Sequence, residues 1–145
     1  MFEKLFLLVK NNAGTAVMNN PVIPEKQRDA VINDASSSII EVLKSQMESG
    51  KIKELVKYFQ FSEIYDNPLI ASAENKFANK LNNFYNIEPD AAAETAHSLI
   101  PPVMQELIRQ SKIEQNKDLG LSALLSKLSG NVIDMGMLLT QLRIA

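Results

Sequence analysis

The chain has no cysteine and no tryptophan, one histidine, five glycines and six prolines in 145 residues. Without cysteine there is no disulfide framework, no thiolate metal site and no cysteine nucleophile. The single histidine leaves no HExxH-type spacing. The glycines, at Gly14, Gly50, Gly120, Gly130 and Gly136, are too scattered for a phosphate-cradling loop. Charge of one sign is lacking too: 15 Lys and Arg stand against 17 Asp and Glu, a net −2. Divided after Ser72, each part carries −1, so no basic arm is masked by an acidic tail. Nucleic acid and acidic membranes therefore exert no strong pull on the chain.

Long hydrophobic runs are also missing. The N-terminal apolar run, Leu5 to Val9, lies between Lys4 and Lys10 and is shorter than the roughly 7–15 residues of a secretory signal. The most apolar stretch, Leu119 to Leu142, is cut by Lys127 and Asp134, short of the roughly 18 residues of a membrane span. The expectation is a cytoplasmic protein with no membrane span.

What is present is 46% hydrophobic residues, enough for a folded core. The length fits one domain, residues 1–145. Apolar residues recur at steps of three and four almost throughout, which predicts an all-α multi-helical bundle of six to seven helices. A first helix, about Phe2 to Asn12, buries Phe2, Leu5, Phe6 and Val9 and stops at Gly14 in a left-handed cap. A loop follows through Asn19, Asn20, Pro21, Val22, Ile23 and Pro24. A long helix from Pro24 carries Val31, Ala35, Ile39 and Val42, and Gly50 ends or bends it. Ile52, Leu55, Val56 and Phe59 form the next stripe.

Asn67-Pro68 restarts the chain, with Asn accepting from the first turn and Pro in the first helical position. Its seam is Ile70, Ala73, Phe77, Leu81 and Phe84. Glu88-Pro89-Asp90 opens another helix, with Ala93, Ala96, Ile100, Val103 and Leu107 inward. Pro101 and Pro102 cannot donate to the carbonyls of His97 and Ser98, so a kink or break is expected near Leu99. Asp118 is placed to cap a short helix with Leu121, Leu124, Leu125 and Leu128, and a last helix carries Ile133, Met137, Leu138 and Leu142.

One region has a familiar pattern. Asn86-Ile87-Glu88-Pro89-Asp90-Ala91-Ala92-Ala93, leading to Leu99-Ile100-Pro101-Pro102-Val103-Met104-Gln105-Glu106-Leu107, resembles the central signature of the YidB-like bacterial family. Asp118-Leu119-Gly120-Leu121-Ser122-Ala123-Leu124-Leu125 is similar to that family's Leu/Gly-rich segment. The likeness covers about residues 86–130, with Asn86 where the family often has Gly and two prolines where one is usual. The resemblance implies a bacterial multi-helical bundle and brings no catalytic residues.

The best polar cluster is Asp90, Glu94 and His97, at i, i+4 and i+7 of one helix, beside Ser98. Two carboxylates and an imidazole are ligand types for a divalent cation. Alternatively, Glu94 orients His97 as a base. Against both stands a solvated first turn whose acids favour the helix N-terminus, and no catalytic, metal or cofactor role is assigned. Lys44, Lys51, Lys53 and Lys57, mixed with Glu48 and Glu54, read as a solvated face. Tyr58, Phe59 and Phe61 lie near these lysines, but Phe59 shares the apolar stripe, and Tyr65 and Tyr85 are isolated, which leaves little for base stacking. Met104, Met135 and Met137 are candidates for an adaptable groove or for core filling.

Three functions follow in order. The first is a non-enzymatic interaction or scaffolding module, with a homo-oligomer or protein partner held through the apolar C-terminal helices. The second is a carrier of a small apolar ligand in an inter-helix cavity. The third is a metal-assisted enzyme using Asp90, Glu94 and His97.

Overall fold

A computed structural model describes residues 3–60, 67–113 and 120–128. These residues form an all-α bundle, with no strand among them. The α-helices are α1 (Glu3–Asn11), α2 (Arg28–Glu48), α3 (Ile52–Gln60), α4 (Pro68–Tyr85), α5 (Pro89–Ser111) and α6 (Leu121–Leu128). A single π-helical turn, Gly14–Met18, and a short 3₁₀ turn, Glu25–Gln27, lie between α1 and α2. Beyond residue 128, the predicted last helix and the residues Met135 and Met137 lie outside the described residues, as do Phe2, Phe61, Tyr65 and Asp118.

The helix boundaries follow local chemistry. At the start of α4, Asn67 is extended and its Oδ1 accepts from the Leu69 N–H at 2.9 Å, with Pro68 next in line. This gives an acceptor to one of the four backbone donors a helix start leaves open. At its end Asn86 is left-handed, φ 54° and ψ 32°, and the Ile87 N–H that follows reaches back to the Leu81 carbonyl at 3.3 Å. Asn is the residue that bears a side chain at this conformation with least penalty. Asn82 Nδ2 donates to the Ile87 carbonyl at 2.9 Å and secures the same turn. Gly50, φ +73°, marks the corresponding break between α2 and α3.

Gly14 corrects the expectation of a left-handed cap. Its φ is not positive, and the chain widens there into the π-helical turn instead. The Met18 N–H bonds to the Ala13 carbonyl and the Asn19 N–H to the Gly14 carbonyl, both at 2.9 Å. Ala16 and Val17 are thereby buried. Asn20 then ties this connection to α5: its Nδ2 donates to the Ala16 carbonyl at 3.0 Å and to Thr95 Oγ1 at 3.2 Å.

The double proline does not break α5, which runs without interruption from Pro89 to Ser111. Of the two expected outcomes, a break is excluded. Two donors are still lost, because a proline nitrogen carries no hydrogen, and apolar packing keeps the helix continuous: Leu99, Ile100, Val103, Met104 and Leu107 are all at most 1% exposed.

A contiguous core joins every helix. Val31, Ala35, Ile39 and Val42 of α2 are buried as the spacing predicts, and so are Leu55, Val56 and Phe59 of α3. Leu5 and Val9 of α1 are fully enclosed, with Phe6 packed at the edge. Leu124, Leu125 and Leu128 bring α6 to the same core. Two stripes need correcting. Phe84 is 65% exposed, because it lies in the last turn of α4. Ala93 is exposed while Ala92 and Ala96 are buried, so the inward face of α5 begins one residue earlier. The most extensive packing is α4 on α5, followed by α2 on α4; α1 rests on both α2 and α5.

Among the described residues, no helix is long and apolar enough to cross a membrane.

Candidate functional site

The residues singled out from sequence separate in the structure. Asp90 and Glu94 are both exposed on α5. His97 is also exposed, but its Nδ1 lies 3.4 Å from Glu74 Oε1 on α4, not beside Glu94. Among the described residues, no three His, Asp or Glu side chains converge as metal ligands. The imidazole therefore belongs to an inter-helix pair that joins α4 and α5. Met104 is 1% exposed and serves as core filling, not as a groove lining. Lys44, Lys51, Lys53 and Lys57 all face solvent, as do Glu48 and Glu54.

The described residues form two grooves of note. The first, of about 460 Å³, runs between α1 and α2 and is lined by Glu3, Phe6, Leu7, Asn33, Ser36, Ser37 and Ile40. Its walls are mainly apolar, and Leu7 is 48% exposed there. Ser36 is buried, and its Oγ has no hydrogen-bond partner. The neighbouring serines do not share this condition. Ser38 Oγ donates to the Asp34 carbonyl at 2.7 Å, and Ser37 Oγ donates to that carbonyl at 3.1 Å. A buried hydroxyl without a partner is unfavourable, so Ser36 is a weak point in the groove's wall.

The second groove, of about 400 Å³, lies where α4 begins beside the middle of α5. Asn67, Ile70, Ala71 and Glu74 line it from α4 and its cap, and His97, Pro101 and Pro102 from α5. The Glu74 side chain is 23% exposed. Asn67 is 5% exposed: its oxygen is committed to the Leu69 N–H, and its Nδ2 has no acceptor. Sequence reading missed both Glu74 and the amide of Asn67. Asn67 carries a signal as a helix cap, but a spare donor is invisible without its surroundings. Glu74 lies 23 positions before His97, a separation that no local spacing rule covers.

Two further polar clusters are structural in geometry. The Tyr85 hydroxyl donates to Asp34 Oδ2 at 2.5 Å, tying α4 to α2. Burial, reinforced by the hydrogen bond and the charge of Asp34, pushes the Tyr85 hydroxyl above its ordinary range. On α5, Arg109 grips Glu106 through two nitrogens and Gln110 adds a third donor. These bonds, Arg109's first, lower the Glu106 carboxyl to about 2 against slight desolvation.

Compared with family models, curated proteins and solved structures, the chain finds no match.

Proposed function

We propose that the chain is a non-enzymatic interaction module of the bacterial cytoplasm that receives an amphipathic helix in the groove between α1 and α2. A second copy of the chain supplies that helix from the part of its apolar stretch that follows Leu128. The observation that carries this reading is the groove itself, where Phe6, Leu7 and Ile40 stand together at the surface. Leu7 is a large apolar side chain nearly half exposed, with Phe6 and Ile40 beside it in the groove lining. Covering it removes apolar surface from water, the main drive for association.

The proposed occupant is chosen for its sequence pattern. Met135, Leu138, Leu139 and Leu142 recur at i, i+3, i+4 and i+7, the anchor spacing of a helix laid in a groove. The likeness to the YidB-like family agrees with this reading, since it brings no catalytic residues. The carrier alternative gains less support from these two grooves of the described residues, which are lined by no methionine and open to the surface.

Light scattering on the full chain over a wide concentration range tests the proposal. The expected result is a mass that rises above 16.1 kDa with concentration. A Leu7→Glu variant then associates about tenfold more weakly, as for an anchor residue of an interface. A chain that stays monomeric throughout overturns the named occupant, and so does a Leu7→Glu variant that associates like the parent.

A further inference from the structure

We propose that the groove between α4 and α5 binds a cationic side chain, arginine or lysine, presented by an extended peptide segment. The site uses none of the residues of the α1–α2 groove, so each reading stands without the other.

The argument starts from the groove's unmet hydrogen-bonding capacity. Glu74 brings a carboxylate to the wall, and no lysine or arginine pairs with it among the described residues. Its partner is His97, at a long 3.4 Å. Pro101 and Pro102 form part of the opposite wall. Because neither donates, the carbonyls of His97 and Ser98 lack their usual partners in the helix. The Glu74 carboxylate gives this end of the groove an anionic acceptor.

The other end has the opposite character. Asn67 is nearly enclosed and its Nδ2 donor has no acceptor. Between the two ends lie the apolar surfaces of Ile70, Ala71 and Pro101. Asn67 and Glu74 are seven residues apart on a helix, about 10 Å along its axis. An occupant thus needs an acceptor at one end, an apolar stem, and several donors with positive charge at the other. A peptide residue with a long basic side chain has this order of parts: its backbone carbonyl meets Asn67, its methylenes lie on Ile70 and Ala71, and its cation meets Glu74. An anionic ligand meets the Glu74 carboxylate with like charge. A wholly apolar one leaves both ends without partners, which costs the desolvation of each.

Titration of the ¹⁵N-labelled full chain with two blocked amino acids tests the site. N-acetyl-arginine methylamide is expected to shift the amide signals of Ala71, Glu74 and His97 with saturation in the millimolar range. N-acetyl-norleucine methylamide, which lacks the charge, is expected to leave them in place. Glu74→Gln weakens the arginine probe about tenfold, the loss of one charge-assisted contact. Ala71 is exposed, so Ala71→Leu fills the groove without disturbing the core and abolishes the shifts at an unchanged melting temperature. Asn67→Ser keeps an acceptor for the Leu69 N–H and removes the spare donor, which weakens the probe several-fold. Equal shifts from both probes, undiminished binding to Glu74→Gln or Ala71→Leu, or no shifts at these three residues would each overturn the proposal.

Discussion

α4 packs on α2 and on α5, and the two seams are finished differently. Toward α2, polar side chains close the seam over the apolar core. The Tyr85 hydroxyl bonds to Asp34, and Lys80 Nζ donates to Ser37 Oγ at 3.0 Å and to Glu41 at 3.2 Å. Toward α5 the packing is more extensive, yet its polar finish is one exposed His97–Glu74 pair above a groove. The contrast teaches that apolar packing holds α4 on both sides, whereas polar closure decides which seam remains accessible. An occupant entering along α4 meets completed hydrogen bonds on the α2 side and incomplete ones on the α5 side.

The strongest way to test the shared part of this contrast is to remove the core beneath α4. Phe77 is fully buried, and Phe77→Ala is expected to cost about 3–5 kcal/mol, the sum of lost transfer energy and a cavity. The exposed Phe84 on the same helix serves as the control, and its replacement by Ala stays within about 0.5 kcal/mol. Denaturant unfolding measures both. Similar values for the two would show that α4 is not anchored as described.

A smaller effect is expected where the α2 seam is closed. Tyr85→Phe removes the bond to Asp34 at a cost of about 1 kcal/mol at neutral pH. The pH dependence has a definite sign. The folded state raises the hydroxyl's proton affinity, so this contribution is complete below the unfolded value of about 10. It is lost as pH climbs above that value, because the unfolded chain ionises first. The parent should therefore lose stability more steeply than Tyr85→Phe above about pH 10, as followed by urea unfolding at each pH. Parallel curves would remove the role given to Asp34.

The least effect is expected on the open seam. His97→Ala breaks the pair with Glu74, but the imidazole is 79% exposed, and exposed pairs contribute little. Its midpoint in urea should match the parent within about 0.5 kcal/mol. A loss comparable with that of Tyr85→Phe would mean that the two seams are finished alike.

Local physics explains what the sequence made legible. Asn67-Pro68 marks a helix start because one side chain and one fixed angle act within a few residues. The stripe Val31, Ala35, Ile39 and Val42 marks a buried face because burial repeats with the helical turn. Phe84 and Ala93 escaped the same reasoning for different causes. Periodicity says which side of α4 Phe84 occupies but not where its covering neighbours end. At Ala93 the error was one residue of phase, about 100° around the helix. Gly14 is ambiguous because glycine suits a left-handed cap and also permits other turns, the π-helical one among them, and nothing local distinguishes them. The His97–Glu74 pair and the groove around it depend on how α5 lies against α4, which only tertiary packing decides. Asp90 and Glu94, by contrast, kept the solvated setting that a first helical turn favours.

The left-handed Asn86 has a consequence for the order of events in folding. Through it, α4 passes to α5 across residues 86–88 alone, and the two helices make the broadest contact in the bundle. Closing so short a connection costs little chain entropy, so the pair assembles at low sequence separation. α1 must be brought to α5 across most of the chain, whereas both walls of the α4–α5 groove belong to one helical hairpin. The site's framework is thus a local product of folding, and a substitution at Asn86 that disfavours positive φ will slow its formation before it alters any residue that lines the groove.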